Sequence, residues 1–262
     1  MTTWPLAMST LGLPGTGLAE ACRIAVAAGC AGLELRAHPD TGVHVAMDAR
    51  ERAQAVNLLA EAGLAPLAVA GYTRIADAKP DDEVLERLRA EIVLAGDLGA
   101  PYLRVFPGGD RDEGDDKRAV RRLRAVAAQA MAAGVRLLIE THDSHPTGRD
   151  IRRLLAAVGA PEVTGAVWDA LHPWRHGEKP ADTLAALADH LGYVQIKDAV
   201  SAEDTTPVPL GAGGVPLPEI RRLLLDQGYD GWVSLEWERT WYPRVAPVET
   251  VLPAALAWTR GT

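Results

Sequence analysis

Cysteine is scarce in this chain of 262 residues, and the two that are present, Cys22 and Cys30, form no CxxC or Cys/His pattern. We interpret both as buried thiols in a reducing cytoplasm. The chain also lacks the ~18 consecutive apolar residues of a membrane span. It has no leader in which a basic segment precedes an apolar one. These absences predict a cytoplasmic protein that is neither exported nor anchored in a membrane.

Basic residues are not in excess either, since the net charge is -8 at pH 7. An acidic chain argues against a surface that neutralises nucleic-acid phosphates, so the expected partner is a small molecule. Hydrophobic residues make up 48% of the chain and charged residues 24%, as in an ordinary soluble globular protein. The length fits one large α/β barrel or two modest domains.

A repeated pattern favours the barrel: a helical stretch, then a glycine, then a short apolar strand. Glycine ends helices because it adopts the left-handed conformation without a Cβ clash. Seven glycines mark the predicted junctions: Gly29, Gly63, Gly99, Gly134, Gly159, Gly192 and Gly228. With Pro5–Ser9 as the opening strand, the pattern gives eight strands about thirty residues apart, the spacing of βα units. The sequence therefore predicts an α/β fold, a single (β/α)8 TIM barrel, as one domain over residues 1–262.

Two helices and two long loops are placed within this repeat. Apolar residues at helical spacing predict helices at 81–98 and 118–132, and composition predicts loops at 108–117 and 205–218. The structural alternative is a doubly wound open sheet, which usually carries a GxGxxG turn after its first strand. The stretch from Thr10 to Gly17 lacks that order of glycines, so we favour the barrel.

One apolar run, Val135–Ile139, ends abruptly in polar residues, beginning with Glu140 and continuing to His142. In a TIM barrel the carboxyl ends of the strands converge on one pocket, where ligands bind. The residues predicted at those ends are Glu34, Arg36, Tyr72, Arg104, Glu140, His142, Asp169, His172, Gln195, Lys197, Glu236 and Glu238.

Strands five to eight each offer one oxygen ligand among these residues, namely Glu140, Asp169, Gln195 and Glu236. Three carboxylates and an amide suit Mg²⁺ or Mn²⁺ better than Zn²⁺, and a divalent cation would offset the repulsion between the carboxylates. The alternative is that the carboxylates pair with Arg36, Arg104 and Lys197 and hold no metal. The amide of Gln195 could also bond to a neighbouring strand, and His142 and His172 could be satisfied loop histidines.

These residues lie in motifs that resemble a known family. The motifs are Glu140-Thr-His142, Trp168-Asp169-Ala-Leu-His172, Val194-Gln195-Ile-Lys197-Asp198, Pro209-Leu-Gly211-Ala-Gly213 and Leu235-Glu236-Trp-Glu238. Together they resemble the xylose isomerase-like sugar phosphate isomerase/epimerase superfamily of TIM barrels, over most of the chain from Gly32 onward. The resemblance implies one divalent metal ion, Mn²⁺ or Mg²⁺ with Co²⁺ or Zn²⁺ as alternatives, held by Glu140, Asp169, Gln195 and Glu236.

The resemblance also implies a reaction. Such enzymes remove a proton α to a carbonyl and stabilise the enediolate with the metal. This implies an isomerase or epimerase of carbohydrate metabolism acting on a sugar, keto-sugar or polyol, with Glu140 and Glu236 as base and acid. The predicted substrate contacts are His172, Arg104, Lys197, His142 and Glu34. Members of the family are often dimers or tetramers, so a homo-oligomer is left open.

Gln195 departs from the family pattern, because the ketose epimerases typically have His at this position. In having glutamine at this position, the chain resembles dehydratases that act on inososes or on 3-dehydroshikimate, so a metal-dependent lyase is the alternative. The retained acidic residues argue against an inactive sugar-binding barrel. The endonuclease IV type of DNA-repair enzyme needs several further histidines, and this chain lacks one at position 195.

Overall fold

A computed structural model describes residues 4–261, in which eight parallel strands close into a barrel. The strands are β1 (Leu6–Ser9), β2 (Gly32–Arg36), β3 (Ala65–Arg74), β4 (Tyr102–Phe106), β5 (Arg136–Glu140), β6 (Thr164–Asp169), β7 (Leu191–Ile196) and β8 (Trp232–Leu235). Ala7 of β1 closes the barrel by pairing with Gly32 on one side and Ser234 on the other. The predicted (β/α)8 barrel is confirmed and the open sheet is wrong. Of the predicted domain, residues 1–3 and 262 lie outside the described residues.

Helices surround the barrel between the strands. Within residues 4–261 they are α1 (Leu18–Ala27), α2 (Ala49–Glu61), α3 (Asp81–Asp97), α4 (Asp115–Ala132), α5 (Gly148–Val158), α6 (Leu171–Arg175), α7 (Pro180–Leu187), α8 (Leu217–Asp226) and α9 (Val248–Arg260). Helix α4 begins three residues before the predicted start at Arg118, because Asp115 and Asp116 occupy its first turn, where acidic side chains complement the helix dipole. None of these helices is both long and apolar enough to span a bilayer.

Glycine marks most of the predicted helix-to-strand junctions. Six of the seven predicted glycines have a positive φ, between 66° and 77°, which an L side chain rarely adopts. The prediction for Gly192 was wrong, because this residue lies inside β7 and not at a junction before it. A Cβ at Gly192 would collide with the side chain of Leu138 on β5, so this glycine is required by close packing within the barrel.

The core has two parts. Apolar side chains between the strands and the helices form the larger one, and it contains Cys22 and Cys30, both buried and unpaired as predicted. A smaller cluster fills the barrel interior with Ala7, Leu67, Ala68, Leu138, Val167 and Tyr193. Because side chains alternate along a strand, Leu138, Val167 and Tyr193 share the inward side with the residues two positions on, which are Glu140, Asp169 and Gln195.

The stretch predicted as a loop at 205–218 is more ordered than expected. Pro207–Val208 pairs antiparallel with Asp198–Ala199, directly after β7. The Asp198 carboxylate accepts hydrogen bonds from the backbone N–H groups of Gly211, Gly213 and Val215 at 2.9–3.1 Å. Asp198 therefore anchors both ends of this connection beside the mouth of the barrel.

Candidate active site at the carboxyl ends of the strands

Four predicted metal ligands meet at the carboxyl ends of β5 to β8. Glu140 and Asp169 are the last residues of β5 and β6, Gln195 lies beside Asp169 in the register of β6 and β7, and Glu236 directly follows β8. One oxygen each from Glu140, Asp169 and Glu236 lies within 4.8 Å of the other two. All four side chains belong to buried residues. The barrel therefore brings this oxygen-rich set together as its topology predicts.

Asp169 is oriented by the helix that follows it. Its Oδ1 accepts hydrogen bonds from the N–H groups of Leu171 and His172, at 2.7 and 3.3 Å, where the chain turns into α6. The other oxygen, Oδ2, lies 2.7 Å from Nζ of Lys197. The local turn therefore leaves one oxygen of Asp169 for the cluster.

Lys197 is the central cation of the cluster. Its ammonium contacts Asp169 Oδ2, Glu236 Oε2 and, at 2.6 Å, Glu238 Oε1. Burial alone would lower the pKa of Lys197, but the charges of these three acids raise it well above its usual value. Lys197 is therefore charged, although a buried lysine without partners would lose its proton.

Two arginines were predicted to be near the carboxylates, and the structure separates them. Arg104 Nε lies 3.1 Å from Glu140 Oε2, and its Nη1 donates to the Gly71 carbonyl at 2.9 Å. Arg36 instead donates to Asp40 and to the Tyr72 hydroxyl, both at 2.6 Å. Arg104 and Lys197 thus form the ion pairs of the metal-free alternative, whereas Arg36 does not pair with the cluster.

The cluster has more carboxylates than cations. Within residues 4–261, five carboxylates face the two permanent cations Arg104 and Lys197, which would leave an excess of three negative charges if every group were ionised; the carboxylates are Glu34, Glu140, Asp169, Glu236 and Glu238, and the nearby His142 is paired with Asp143. Burial, together with the charge of Glu236, raises the pKa of Glu34 to about 7. Burial likewise raises the pKa of Glu140 to about 8, although Arg104 opposes the shift. Near neutral pH the cluster therefore holds protons or requires a further cation.

Two histidines lie beside Glu140. The ring centroids of His142 and His172 are 4.1 Å apart, and each ring places a nitrogen close to a Glu140 oxygen. Burial lowers the pKa of His172 well below its usual value, so the ring is neutral, and its Nε2 has no hydrogen-bond partner within residues 4–261. His142 Nδ1 lies 2.8 Å from the Asp143 carboxylate. Their role as substrate contacts stays a prediction.

Gln195 and Glu34 are hydrogen-bonded to each other inside the barrel. Gln195 Nε2 donates to Glu34 Oε1 at 2.8 Å and to Glu236 Oε1 at 3.2 Å. Glu34 Oε2 accepts from the Ser234 hydroxyl at 2.6 Å. The Gln195 carbonyl oxygen is buried and has no hydrogen-bond partner in the described part of the chain.

Sequence reasoning missed two side chains of this cluster, Ser234 and Tyr193. Ser234 precedes Glu236 by two positions, and Tyr193 precedes Gln195 by two positions, so strand alternation turns both inward. The Tyr193 hydroxyl is buried and lacks a hydrogen-bond partner among the described residues. The alternation that identified Gln195 and Glu236 could have identified both.

The donor set fits a divalent cation that prefers oxygen ligands. Glu140, Asp169 and Glu236 each present an oxygen to the others, and the carbonyl oxygen of Gln195 is buried without a hydrogen-bond partner among residues 4–261. The excess of negative charge is what such a cation would neutralise.

These pKa shifts predict how stability depends on pH after dialysis against a chelator. An unfolded glutamate titrates near 4.5, whereas folded Glu140 titrates near 8 and Glu34 near 7. The raised values stabilise the fold below the unfolded pKa, and that contribution is lost as the pH rises through the folded values. For the metal-free protein we therefore expect Tm to fall by roughly 5 °C or more between pH 5 and pH 9, as Glu34 and Glu140 lose their protons.

Calorimetry across this range tests the prediction, with Glu140→Gln as the control. An amide does not titrate, so the Tm of the variant should fall less steeply with pH, even if it is lower throughout. If Tm fell equally steeply with pH in both proteins, the assignment of the titration to Glu140 would be contradicted.

Comparison with known proteins agrees with this architecture. The model of a family described as xylose isomerase-like TIM barrel matches residues 22–262. A fructoselysine 3-epimerase of Escherichia coli O157:H7 is 33% identical over 87 residues, which are 33% of this chain and 31% of that protein. The chain spans less than two thirds of the length of the curated relatives it matches.

Two solved structures have the same fold. The 3-keto-D-glucoside 4-epimerase of E. coli superposes with a TM-score of 0.78 and 18% identity, over 99% of this chain and 100% of that one. A probable 3-DHS dehydratase of Bacillus anthracis, involved in petrobactin synthesis, superposes with a TM-score of 0.78 and 20% identity, over 96% and 97% of the two chains. At such identities the likeness shows the fold alone.

Proposed function

The chain belongs to the xylose isomerase-like TIM-barrel family, and from this we propose that it is an isomerase or epimerase acting on a sugar, keto-sugar or polyol. The observation that carries the proposal is the buried cluster of Glu140, Asp169, Gln195 and Glu236 at the carboxyl ends of β5 to β8. The relative named as a fructoselysine 3-epimerase supports the same class of reaction.

The cluster would hold one divalent metal ion through Glu140, Asp169, Gln195 and Glu236. An all-oxygen set favours Mg²⁺ or Mn²⁺. Bound there, the ion would polarise the substrate carbonyl and stabilise the negative charge that develops when a neighbouring carbon loses its proton.

Glu140 and Glu236 are the proposed proton carriers. A group that removes a proton from one face of a carbon and returns it elsewhere must be able to exist in both protonation states near the working pH. In the metal-free protein burial raises the pKa of the Glu140 carboxyl to about 8, and a bound cation would lower it again toward the range of an ordinary carboxylate base. Arg104, 3.1 Å from Glu140, holds that carboxylate in place.

The substrate contacts proposed here are the polar groups around the two glutamates. The neutral ring of His172 and the neighbouring His142 offer a donor and an acceptor to sugar hydroxyls. Arg104 and Lys197 offer charged N–H donors, although both are already paired with carboxylates. A polyhydroxylated substrate suits such a set, because each hydroxyl can donate and accept.

Solvent isotope exchange tests the proposal directly. Free ketoses, their phosphates and keto-polyols are incubated in D₂O with the Mn²⁺-loaded protein, and ¹H NMR follows the signal of the proton next to the carbonyl. We expect at least one substrate to exchange that proton without losing water, and we expect EDTA to stop the exchange. If no member of the panel exchanges and the protein takes up no Mn²⁺, Mg²⁺ or Co²⁺, the proposal is wrong.

A metal-dependent dehydratase is the second candidate, favoured by Gln195 and Lys197. The family's ketose epimerases typically have His where this chain has Gln195. The ammonium of Lys197, buried between Asp169 and Glu236, would donate a hydrogen bond to a departing hydroxyl, which takes its proton from the glutamate that removed one from carbon. The dehydratase neighbour from Bacillus anthracis supports this candidate through its fold only. Loss of water from an inosose or from 3-dehydroshikimate, detected by the ultraviolet absorption of the product, would favour the dehydratase over the isomerase.

A further inference from the structure

The orientation of the Gln195 amide is dictated by its neighbours. Its Nε2 lies 2.8 Å from Glu34 Oε1 and 3.2 Å from Glu236 Oε1, and both partners are carboxylate oxygens. When both groups are ionised, as they are beside a bound cation, their oxygens only accept hydrogen bonds, so the amide nitrogen faces them. The reversed amide would place its carbonyl oxygen against both carboxylates and lose both hydrogen bonds.

Glu34 is itself held in one position. It is fully buried on β2, and its second oxygen accepts from the Ser234 hydroxyl at 2.6 Å. Ser234 is the register neighbour of Gln195 on β8. Glu34 therefore crosses the barrel interior to contact both residues of this neighbouring pair.

Because the amide nitrogen of Gln195 is hydrogen-bonded to two carboxylates, only the carbonyl oxygen of the amide is left to contact another group. That oxygen is buried and has no hydrogen-bond partner among residues 4–261. A buried acceptor without a partner is costly, unless something binds it. Glu236, which also accepts from the amide nitrogen, belongs to the carboxylate group beside it.

We propose that Glu34 is a positioning residue, which fixes the Gln195 carbonyl oxygen toward the carboxylate cluster and so completes an all-oxygen set for a divalent cation. This inference rests on the proposed function only in that the cluster holds a cation. It reassigns Glu34, predicted from the sequence as a substrate contact, to a residue that acts through Gln195. Groups that orient a metal ligand typically contribute 10–100-fold to metal affinity.

Mn²⁺ dissociation constants, measured by calorimetry and by electron paramagnetic resonance of free Mn²⁺, test this proposal. We expect Glu34→Ala to weaken binding about 10- to 100-fold. Glu34→Gln should stay within about threefold of the parent, because its carbonyl still accepts from Gln195 and its amide nitrogen can donate to Ser234. If the loss arose from the charge of Glu34 alone, Glu34→Gln would weaken binding as much as Glu34→Ala, and the proposal would be overturned.

A double-mutant cycle then asks whether Glu34 acts through Gln195. Gln195→Ala removes the ligand, so adding Glu34→Ala to it should weaken Mn²⁺ binding by no more than about threefold. Fully additive losses would overturn the proposal, as would tight binding by Glu34→Ala. Circular dichroism and Tm confirm that each variant is folded. If the parent protein binds no Mn²⁺, the proposed metal site fails as well; if the parent binds and only the cycle is additive, the inference about Glu34 fails alone.

Discussion

Glu236→Gln lowers kcat by about 10²- to 10⁴-fold at saturating Mn²⁺, if Glu236 exchanges the substrate proton as proposed. Glutamine keeps the shape of the side chain and one carbonyl oxygen but cannot accept a proton from carbon. The variant would still bind Mn²⁺, more weakly, so the measurement requires enough metal to fill the site. Steady-state kinetics on the substrate found by isotope exchange, with the bound metal measured in the same samples, separates lost chemistry from lost metal.

The matched control is Glu238→Gln, two positions further along the chain. Glu238 also contacts Lys197, at 2.6 Å, but does not belong to the three-carboxylate group. We expect its kcat to fall less than tenfold. Full turnover by Glu236→Gln with the site filled would remove Glu236 from the acid-base assignment. An equal loss in both variants would show that the charge around Lys197 matters more than proton transfer by Glu236.

Lys197→Met destabilises the metal-free protein by about 3–5 kcal/mol, because it removes the cation shared by two buried acids and a partly buried one and leaves their charges unpaired. The substitution removes the contacts to Asp169, Glu236 and Glu238. Methionine fills a similar volume, so packing changes little. Urea unfolding at pH 8 measures the effect.

Lys79→Met is the matched control for this change. Lys79 pairs with Glu83 at 2.5 Å, but both side chains are 56% exposed, so its loss should leave the free energy of unfolding nearly unchanged. Added Mn²⁺ should restore part of the stability of Lys197→Met, since a bound ion supplies positive charge to the same acids and stabilises the folded state by mass action. Equal losses for the two lysine variants would contradict the buried pairing of Lys197.

The barrel itself was predictable from local chemistry. Glycine with positive φ ended six of the seven predicted helix-to-strand junctions, and alternation along β5 to β8 gave the inward residues. Gly192 was wrongly predicted to end a helix. The sequence alone does not distinguish a glycine required for packing against Leu138 from one required for a positive φ. The short strand pair held by Asp198 was also missed, since two-residue strands leave no periodicity in the sequence.

The residues that lie together at the barrel mouth were predictable, but their pairings were not. Strand ends identified Glu140, Asp169, Gln195 and Glu236 because a parallel barrel places all carboxyl ends at one rim. Which cation meets which carboxylate depends on side-chain reach. Arg36 pairs with Asp40, four residues on and 2.6 Å away, whereas Lys197 contacts three acids of the cluster.

The anchoring of Asp198 has a consequence for how this protein could diversify. Its carboxylate holds the backbone at Gly211, Gly213 and Val215, and its own strand pairs with Val208, so the base of the connection after β7 is fixed on both sides. Residues 200–206 form the tip beyond that base. Insertions, deletions and substitutions at this tip can accumulate over evolution, or be introduced in a library, without displacing Lys197. The tip can therefore change in length and composition while the backbone beside Lys197 keeps its position.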